Sequence, residues 1–491
     1  MATLAYDAIV IGSGLGGSSA AAVLAAGGKR VLVLEKNTRL GGICAAYEKD
    51  GFQVDIGTHM FTRGSRGPFG RIAHRTGAKL PRFRGSHNIV RLTGLGADIT
   101  VPRHALRMPR MAIEGLMQLR LSPGEMRDAL KLFAIILSAS EDEINALNFV
   151  NVLEFIQRYT SSPKVIGPFG LLLGLYFILP PSEVSAGEAI WAFQRMVFDH
   201  MLSYPEGGAR QVPLAFLSAA EAHGAVVRTG VRVASIVVDN GATRGVTDGD
   251  GQFYAAPIVV ATTSLRDVVD DLAGSGHFPQ AYVERVRSLV PSLVAVQAKF
   301  ALKSRVFDAS AFVGARSLQK TTLQTLRIDD LEGSVRDVRS GRMPQITPIY
   351  APIPSNADPS LVPKGCQIVT ACAVAPTLDV ELQDPHKSWT DTMLSAMYEL
   401  EPRVQKELLW VDVSDVRFIG SWIGKSGAPA VSCGQTTDQV SWRRPPVHTP
   451  VRGLYVAGCG AGGRGVGTEL AATSGELAAD AALCDSYNGL I

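Results

Sequence analysis

The chain has 491 residues, enough for two or three domains sharing sizeable cores. Hydrophobic residues make up 46% and charged residues 19%, and the formal net charge is only +3, which excludes a nucleic-acid binder built on a basic face. Six cysteines (Cys44, Cys366, Cys372, Cys433, Cys459, Cys484) show no CxxC pair and no metal-ligand spacing, so they read as reduced thiols and no metal site is expected.

In chain order, the first predicted element is a buried strand, Ala8-Ile9-Val10-Ile11, which runs into Gly12-Ser13-Gly14-Leu15-Gly16-Gly17 and a small-residue helix to Ala26. The chain enters this strand at once, leaving no room for a cleavable signal peptide, and a cytoplasmic location is expected. Gly12 can take φ > 0, Gly14 lets the backbone approach a pyrophosphate, and Gly17 lets helix and strand pack closely. The N–H groups at the helix start, around Leu15 and Gly16, would meet the phosphates. A second strand, Val31 to Leu34, ends at Glu35, 18 residues past Gly17, where a carboxylate can accept from both hydroxyls of a ribose; Lys36 follows it in the same nucleotide-binding set.

Next come Gly41-Gly42 and a predicted hairpin from Tyr47 to Gly57, with Asp55 read as a turn residue and Thr58 and His59 just beyond. Residues 103 to 203 read mainly as helices. Glu125 to Leu137 is amphipathic, and Val165 to Leu179 is an apolar run broken by Gly167, Pro168, Gly170 and Gly174. That run is shorter than the ~20 residues a membrane span needs. It reads either as a core segment or, with Arg103, Arg107, Arg110 and Arg120 nearby, as part of a patch lying on a membrane surface. Tyr204 to Gly208 precedes a helix to Ala222 and a strand from Val231 to Ile236. Leu293–Lys303, Gln345–Ala351 and Gln367–Val374 look like strands. Gly453 to Gly458 opens a glycine-rich turn and a last helix. Within it, Gly460 to Gly465 fits GxGxxG, but no further strand ending in an acid follows, so no second nucleotide fold and no NAD(P)H module is expected.

Taken together, LEKNTRLGG, YEKDGFQVDIG, the Ala351–Ser360 segment with Pro363-Lys364-Gly365, Gln439 with Arg444-Pro445, GLYVAGCGAGGRGVG and TSGELAADAA resemble the glutathione-reductase-like flavoproteins in the branch of amine oxidases and phytoene desaturases. Within that branch the resemblance is to bacterial-type phytoene desaturases, carotene isomerases and retinol saturases, and it spreads along the whole chain. It implies FAD as cofactor, with Gly12, Gly14 and Gly17 on the pyrophosphate, Glu35 on the adenosine ribose and Val233 holding adenine through its backbone. Gly41 and Gly42 would run along the ribityl and ring side, Gly458, Gly465 and Val466 would approach the flavin ring, and Thr58 and His59 would lie near it. Cys459 stands where many relatives carry an acid, and Ala461-Gly462-Gly463-Arg464 replaces the His-Pro usual in the desaturases, so substrate chemistry could differ. Arg464 reads either as added positive charge at the flavin or as a solvated loop residue.

The implied fold is α/β: a discontinuous Rossmann-like FAD-binding domain, an inserted mixed-sheet substrate domain and a helical cap. The expected parts are 1–100 (FAD-binding, with the start of the substrate domain), 101–203 (cap and membrane-contact region), 204–280 (FAD-binding), 281–420 (substrate sheet) and 421–491 (FAD-binding). The implied activity is desaturation, saturation or isomerisation of a C–C bond in a hydrophobic, isoprenoid-like substrate by hydride transfer at flavin N5, with oxygen or a quinone as electron acceptor. His59 is a candidate base, or a histidine bonded only to backbone; Glu469 is a second catalytic candidate, or a carboxylate stabilised by its helix dipole. A flavin amine oxidase and a non-catalytic escort protein that binds prenylated or lipid cargo are the alternatives.

Overall fold

The computed structural model describes residues 6–57, 61–103, 114–115, 117–199, 203–380, 387–425 and 427–491. Thr58 and His59 lie outside the described residues, as do Arg107 and Arg110. The opening strand β1 (Ala8–Ile11), the helix α1 (Leu15–Ala26) and β2 (Val31–Glu35) form as their pattern predicts. Both strands are almost wholly buried, as strands of a parallel sheet covered on both faces must be. The sheet runs in the order Leu454–Val456, Ile258–Ala261, β1, β2, Val226–Thr229, with every pair parallel. Three distant stretches of chain therefore build one sheet. α1 and the helices Gln211–Ala222 and Gly467–Tyr487 share a core on one face; a three-stranded antiparallel sheet covers the other with Val233, Ile236 and Val246. The hairpin Ala46–Lys49 and Phe52–Asp55 turns at Asp50 and Gly51, both at positive φ, the geometry of a two-residue primed turn.

A second, seven-stranded sheet contains β3 (Val294–Leu302), β4 (Ile346–Pro352) and β5 (Gln367–Ala375). It is antiparallel except where Ala309–Ser317 meets Asn88–Gly94 in parallel. β3 alternates sharply. Val296, Ala298 and Phe300 enter an apolar core with the helix Lys387–Leu400, while Gln297 and Lys299 face the other way. In register, Gln297 stands opposite Cys372, and Cys372 opposite Tyr350, so these three form a row on that second face. Gln297 Nε2 donates to the carbonyl of Gly57 at 3.3 Å, which turns this face toward the loop after the hairpin.

Helices between residues 123 and 198 make the cap, among them α2 (Pro163–Phe177) and α3 (Ala186–Phe198). The broken apolar run is thus a core helix, with Pro168 inside it and Gly167 so close to the Leu326 carbonyl that a Cβ would stand 2.6 Å away. The amphipathic segment forms Pro123–Ser138, begun by a Ser122–Glu125 capping box. The chain ends in α4 (Gly467–Tyr487). Among the described residues no helix is long and apolar enough to cross a membrane.

Candidate cofactor and reaction site

The three glycines of the first turn are small for different reasons. Gly12 has φ +99°, and a Cβ there would lie 2.5 Å from Thr262 Oγ1; one on Gly17 would lie 1.9 Å from the Gly12 carbonyl oxygen. Both are required by the protein itself. Gly14 is different: its φ of −62° suits any residue, and a Cβ would meet nothing nearer than Gly42 Cα at 3.9 Å. Gly42, at φ +59°, faces it from the other side. No side chain caps the α1 N-terminus at Gly14, so its first-turn amides are left for a ligand beside the place where the Gly14 and Gly42 backbones meet. A diphosphate fits this cradle, and a side chain on Gly14 would fill it. Leu15 turns inward to the core, leaving its backbone for this task, and Gly16 packs against Gly458, where a Cβ would stand 2.9 Å from the amide nitrogen.

At the end of β2 the Glu35 carboxylate is buried and accepts from Ser13 N (2.9 Å), Ser13 Oγ (2.7 Å) and Asn37 N (2.8 Å). Three of about four lone-pair sites are thus occupied, so in this arrangement Glu35 can take one ribose hydroxyl rather than two. Ser13 Oγ also accepts from the Gly41 amide at 3.0 Å, joining the turn, the acid and the Gly41–Gly42 loop. Sequence reasoning passed over Ser13; the available signal was a hydroxyl inside the glycine turn. Lys36 extends its ammonium to the Ser421 carbonyl, and Trp422 Nε1 donates to the Gly42 carbonyl at 2.9 Å, so the Val416–Ile423 helix is fastened against this loop. Val233 begins the strand Val233–Asp239, and Val231 N is tied to the Glu35 carbonyl at 2.9 Å.

The terminal loop reaches the same place from the other end of the chain. Gly458 N bonds Ser474 Oγ at 2.7 Å, the Cys459 thiol lies 3.2 Å from the Gly467 carbonyl, and Val466 is the N-cap of α4 with no side chain capping the helix. Burial pushes the Cys459 thiol pKa up, keeping it neutral. Gly465 packs against the Trp191 indole, where a Cβ would come within 3.5 Å, and its carbonyl accepts from Gln435 Nε2. Gln435 Oε1 and Arg444 Nε are buried beside this loop without a hydrogen-bond partner among the described residues, a local surplus of polar atoms that suits a polar ligand along residues 459–466. Arg464 is not a solvated loop residue. It pairs with the buried Glu188 (3.0 Å) and with Glu141 (3.0 Å) and bonds Asn145 and Asn148 (both 2.9 Å), bolting the loop to the cap.

Glu469 lies in the first turn of α4, buried, and accepts from the Arg63 amide at 2.8 Å. Desolvation raises its pKa to about 7, so it can give or take a proton near neutrality. Asp55 is not a turn residue: it is buried, bonded to the Tyr204 hydroxyl and the Ala209 amide, and desolvation pushes it up to about 8. Lys299, fully buried, donates to Gln297 Oε1 (2.9 Å) and Ser414 Oγ (2.6 Å), and burial brings it down to about 8. A lysine within an apolar strand was the signal for it.

The sequence pattern of flavin containing amine oxidoreductases matches residues 15–361, well over half of the chain. The chain belongs to that family. FAD is its cofactor, and the protein is an FAD-dependent oxidoreductase with an α/β fold. The diphosphate cradle, Glu35 and the uncapped start of α4 are the features that fit FAD. The family member is 28% identical to human all-trans-retinol 13,14-reductase over 297 residues, covering 54% of this chain and 48% of that protein, so it spans about half the length of that relative. It is 22% identical to a 4,4'-diapophytoene desaturase from Staphylococcus haemolyticus over 98% of this chain and 99% of the other. An oxidoreductase structure from Methanosarcina mazei superposes with a TM-score of 0.69 at 20% identity, covering 95% of this chain and 98% of that one, a likeness of fold.

Proposed function

We propose that this flavoprotein transfers a hydride between FAD and a carbon–carbon bond of a hydrophobic, isoprenoid-like substrate. Bound FAD supplies two-electron hydride chemistry at N5. The observation that carries the reading is the roof above the Gly57 loop. On the face that carries Gln297, Cys372 and Tyr350, Val374 and Pro348 line a small apolar recess of about 60 Å³ together with Leu171, Leu179, Leu293 and Leu331. A hydrocarbon-lined recess on the roof suits an apolar group better than a charged amine. The likeness to a retinol reductase and a diapophytoene desaturase supports the same substrate class.

Anaerobic mixing tests it. With all-trans-retinol or diapophytoene, the flavin absorbance of the reduced or the oxidised holoprotein should change, whereas putrescine should leave it unaltered. Reduction by putrescine alone would contradict the reading. An electron acceptor such as oxygen or a quinone completes any net oxidation.

A lipid-like substrate also implies contact with a membrane surface. Leu130 and Phe133 are exposed on the Pro123–Ser138 helix beside Arg127 and Lys131, an apolar patch with basic neighbours. Leu130→Asp with Phe133→Asp should reduce co-sedimentation with anionic phospholipid vesicles several-fold; undiminished binding would remove this patch from the proposal.

A further inference from the structure

The two faces of the roof strands are filled unequally. On β4 and β5, Ile349, Ala351, Ala371 and Ala373 are buried in the apolar core, whereas Pro348, Tyr350, Cys372 and Val374, which alternate with them, all keep part of their surface accessible. β5 runs between β3 and β4, so the openness at Cys372 and Val374 is not the exposure of a sheet edge. It marks space in front of this face, and the apolar recess belongs to it: Pro348 and Val374 line the recess with Leu171 of the cap helix α2. Tyr350 and Cys372 stand one pleat repeat from those two residues, about 7 Å along the same strands.

The polar groups on this face differ in what they have left to offer. Gln297 is committed at both ends, its Oε1 to Lys299 at 2.9 Å and its Nε2 to the Gly57 carbonyl at 3.3 Å. The Cys372 thiol lies 4.0 Å from the Thr370 carbonyl, and on the cap side the Tyr176 hydroxyl lies 3.3 Å from Thr62 Oγ1. The Tyr350 hydroxyl is within electrostatic reach of Cys372 and Tyr176 but has no hydrogen-bond partner among the described residues. An enclosed tyrosine usually has one.

Resting on the function proposed above, we infer that Tyr350 selects an isoprenoid that carries oxygen, its phenol hydrogen-bonding a hydroxyl or carbonyl group of the substrate, over the corresponding hydrocarbon. A phenol both donates and accepts, so it can serve an alcohol or a carbonyl equally. A hydrocarbon seated here would strip water from the phenol and leave it without a partner. An oxygenated chain restores that bond while its apolar part lies against Pro348, Val374 and Leu171.

The test compares all-trans-retinol with its deoxy analogue, in which CH3 replaces CH2OH. Each is titrated into the oxidised, FAD-loaded protein, and binding is followed by the flavin absorbance, so no turnover is needed. Wild type should bind retinol about 10-fold more tightly, the weight of one enclosed hydroxyl left without a partner. Tyr350→Phe should keep its FAD, lose that preference and bind the deoxy analogue at least as tightly as wild type does, which a merely damaged site would not. Equal affinity of wild type for both ligands, a preference that persists in Tyr350→Phe, or a response to diapophytoene without one to retinol would each overturn selection by Tyr350 and leave the hydride-transfer reading standing. If wild-type flavin responds to no isoprenoid at all, the functional reading falls and the role of Tyr350 falls with it.

Discussion

At the residue scale, the chemistry of the site depends on groups whose partners are distant in sequence. Glu469 is the clearest case, because burial lifts its pKa from the ordinary 4.5 to about 7. The folded state then binds more protons than the unfolded state between those values, so ionising Glu469 costs stability progressively from about pH 4.5 to pH 7 and adds no further cost above. Relative to Glu469→Gln, wild type should lose up to about 3 kcal/mol across that window and run parallel to it at higher pH, as read by urea unfolding at a series of pH values. A constant difference from pH 4 to 8 would show that the carboxyl is not desolvated. The glycine turn and Glu35 were legible because each follows from a local rule of spacing. Ser13 was not, since its hydroxyl matters only through Glu35 and Gly41. Asp55 was misread as a turn residue because nothing nearby in sequence reports that Tyr204 and Ala209 enclose it.

At the scale of elements, period and composition identified the parallel strands, the hairpin, the Pro123–Ser138 helix and the roof strands, because each has one buried face or two. They could not say what joins the cap to the cofactor loop. Arg464 does so, reaching from the terminal loop to Glu188 on α3 and to Glu141. Removing the guanidinium leaves the buried Glu188 with the Gly465 amide and the charge of Arg444, so Arg464→Met should lower stability by about 3 kcal/mol, with Arg464→Met plus Glu188→Gln recovering part of it. Equal stability of wild type and Arg464→Met in thermal unfolding would show that the pair is not the bolt described here.

At the scale of the molecule, one nucleotide sheet is assembled from the start, the middle and the end of the chain, and the second sheet roofs the space in front of it. The sequence revealed the pieces through their glycine turns, but not the row of Gln297, Cys372 and Tyr350, which only sheet register brings together. The pieces converge where Gly14 meets Gly42 at the uncapped start of α1, and the protein itself leaves room for a Cβ on Gly14. Flavin content of purified Gly14→Ala, measured beside its thermal unfolding, tests this most directly. The cradle predicts an unfolding curve like that of the wild-type apoprotein and a loss of bound FAD; a variant that retains its full complement of FAD would contradict it.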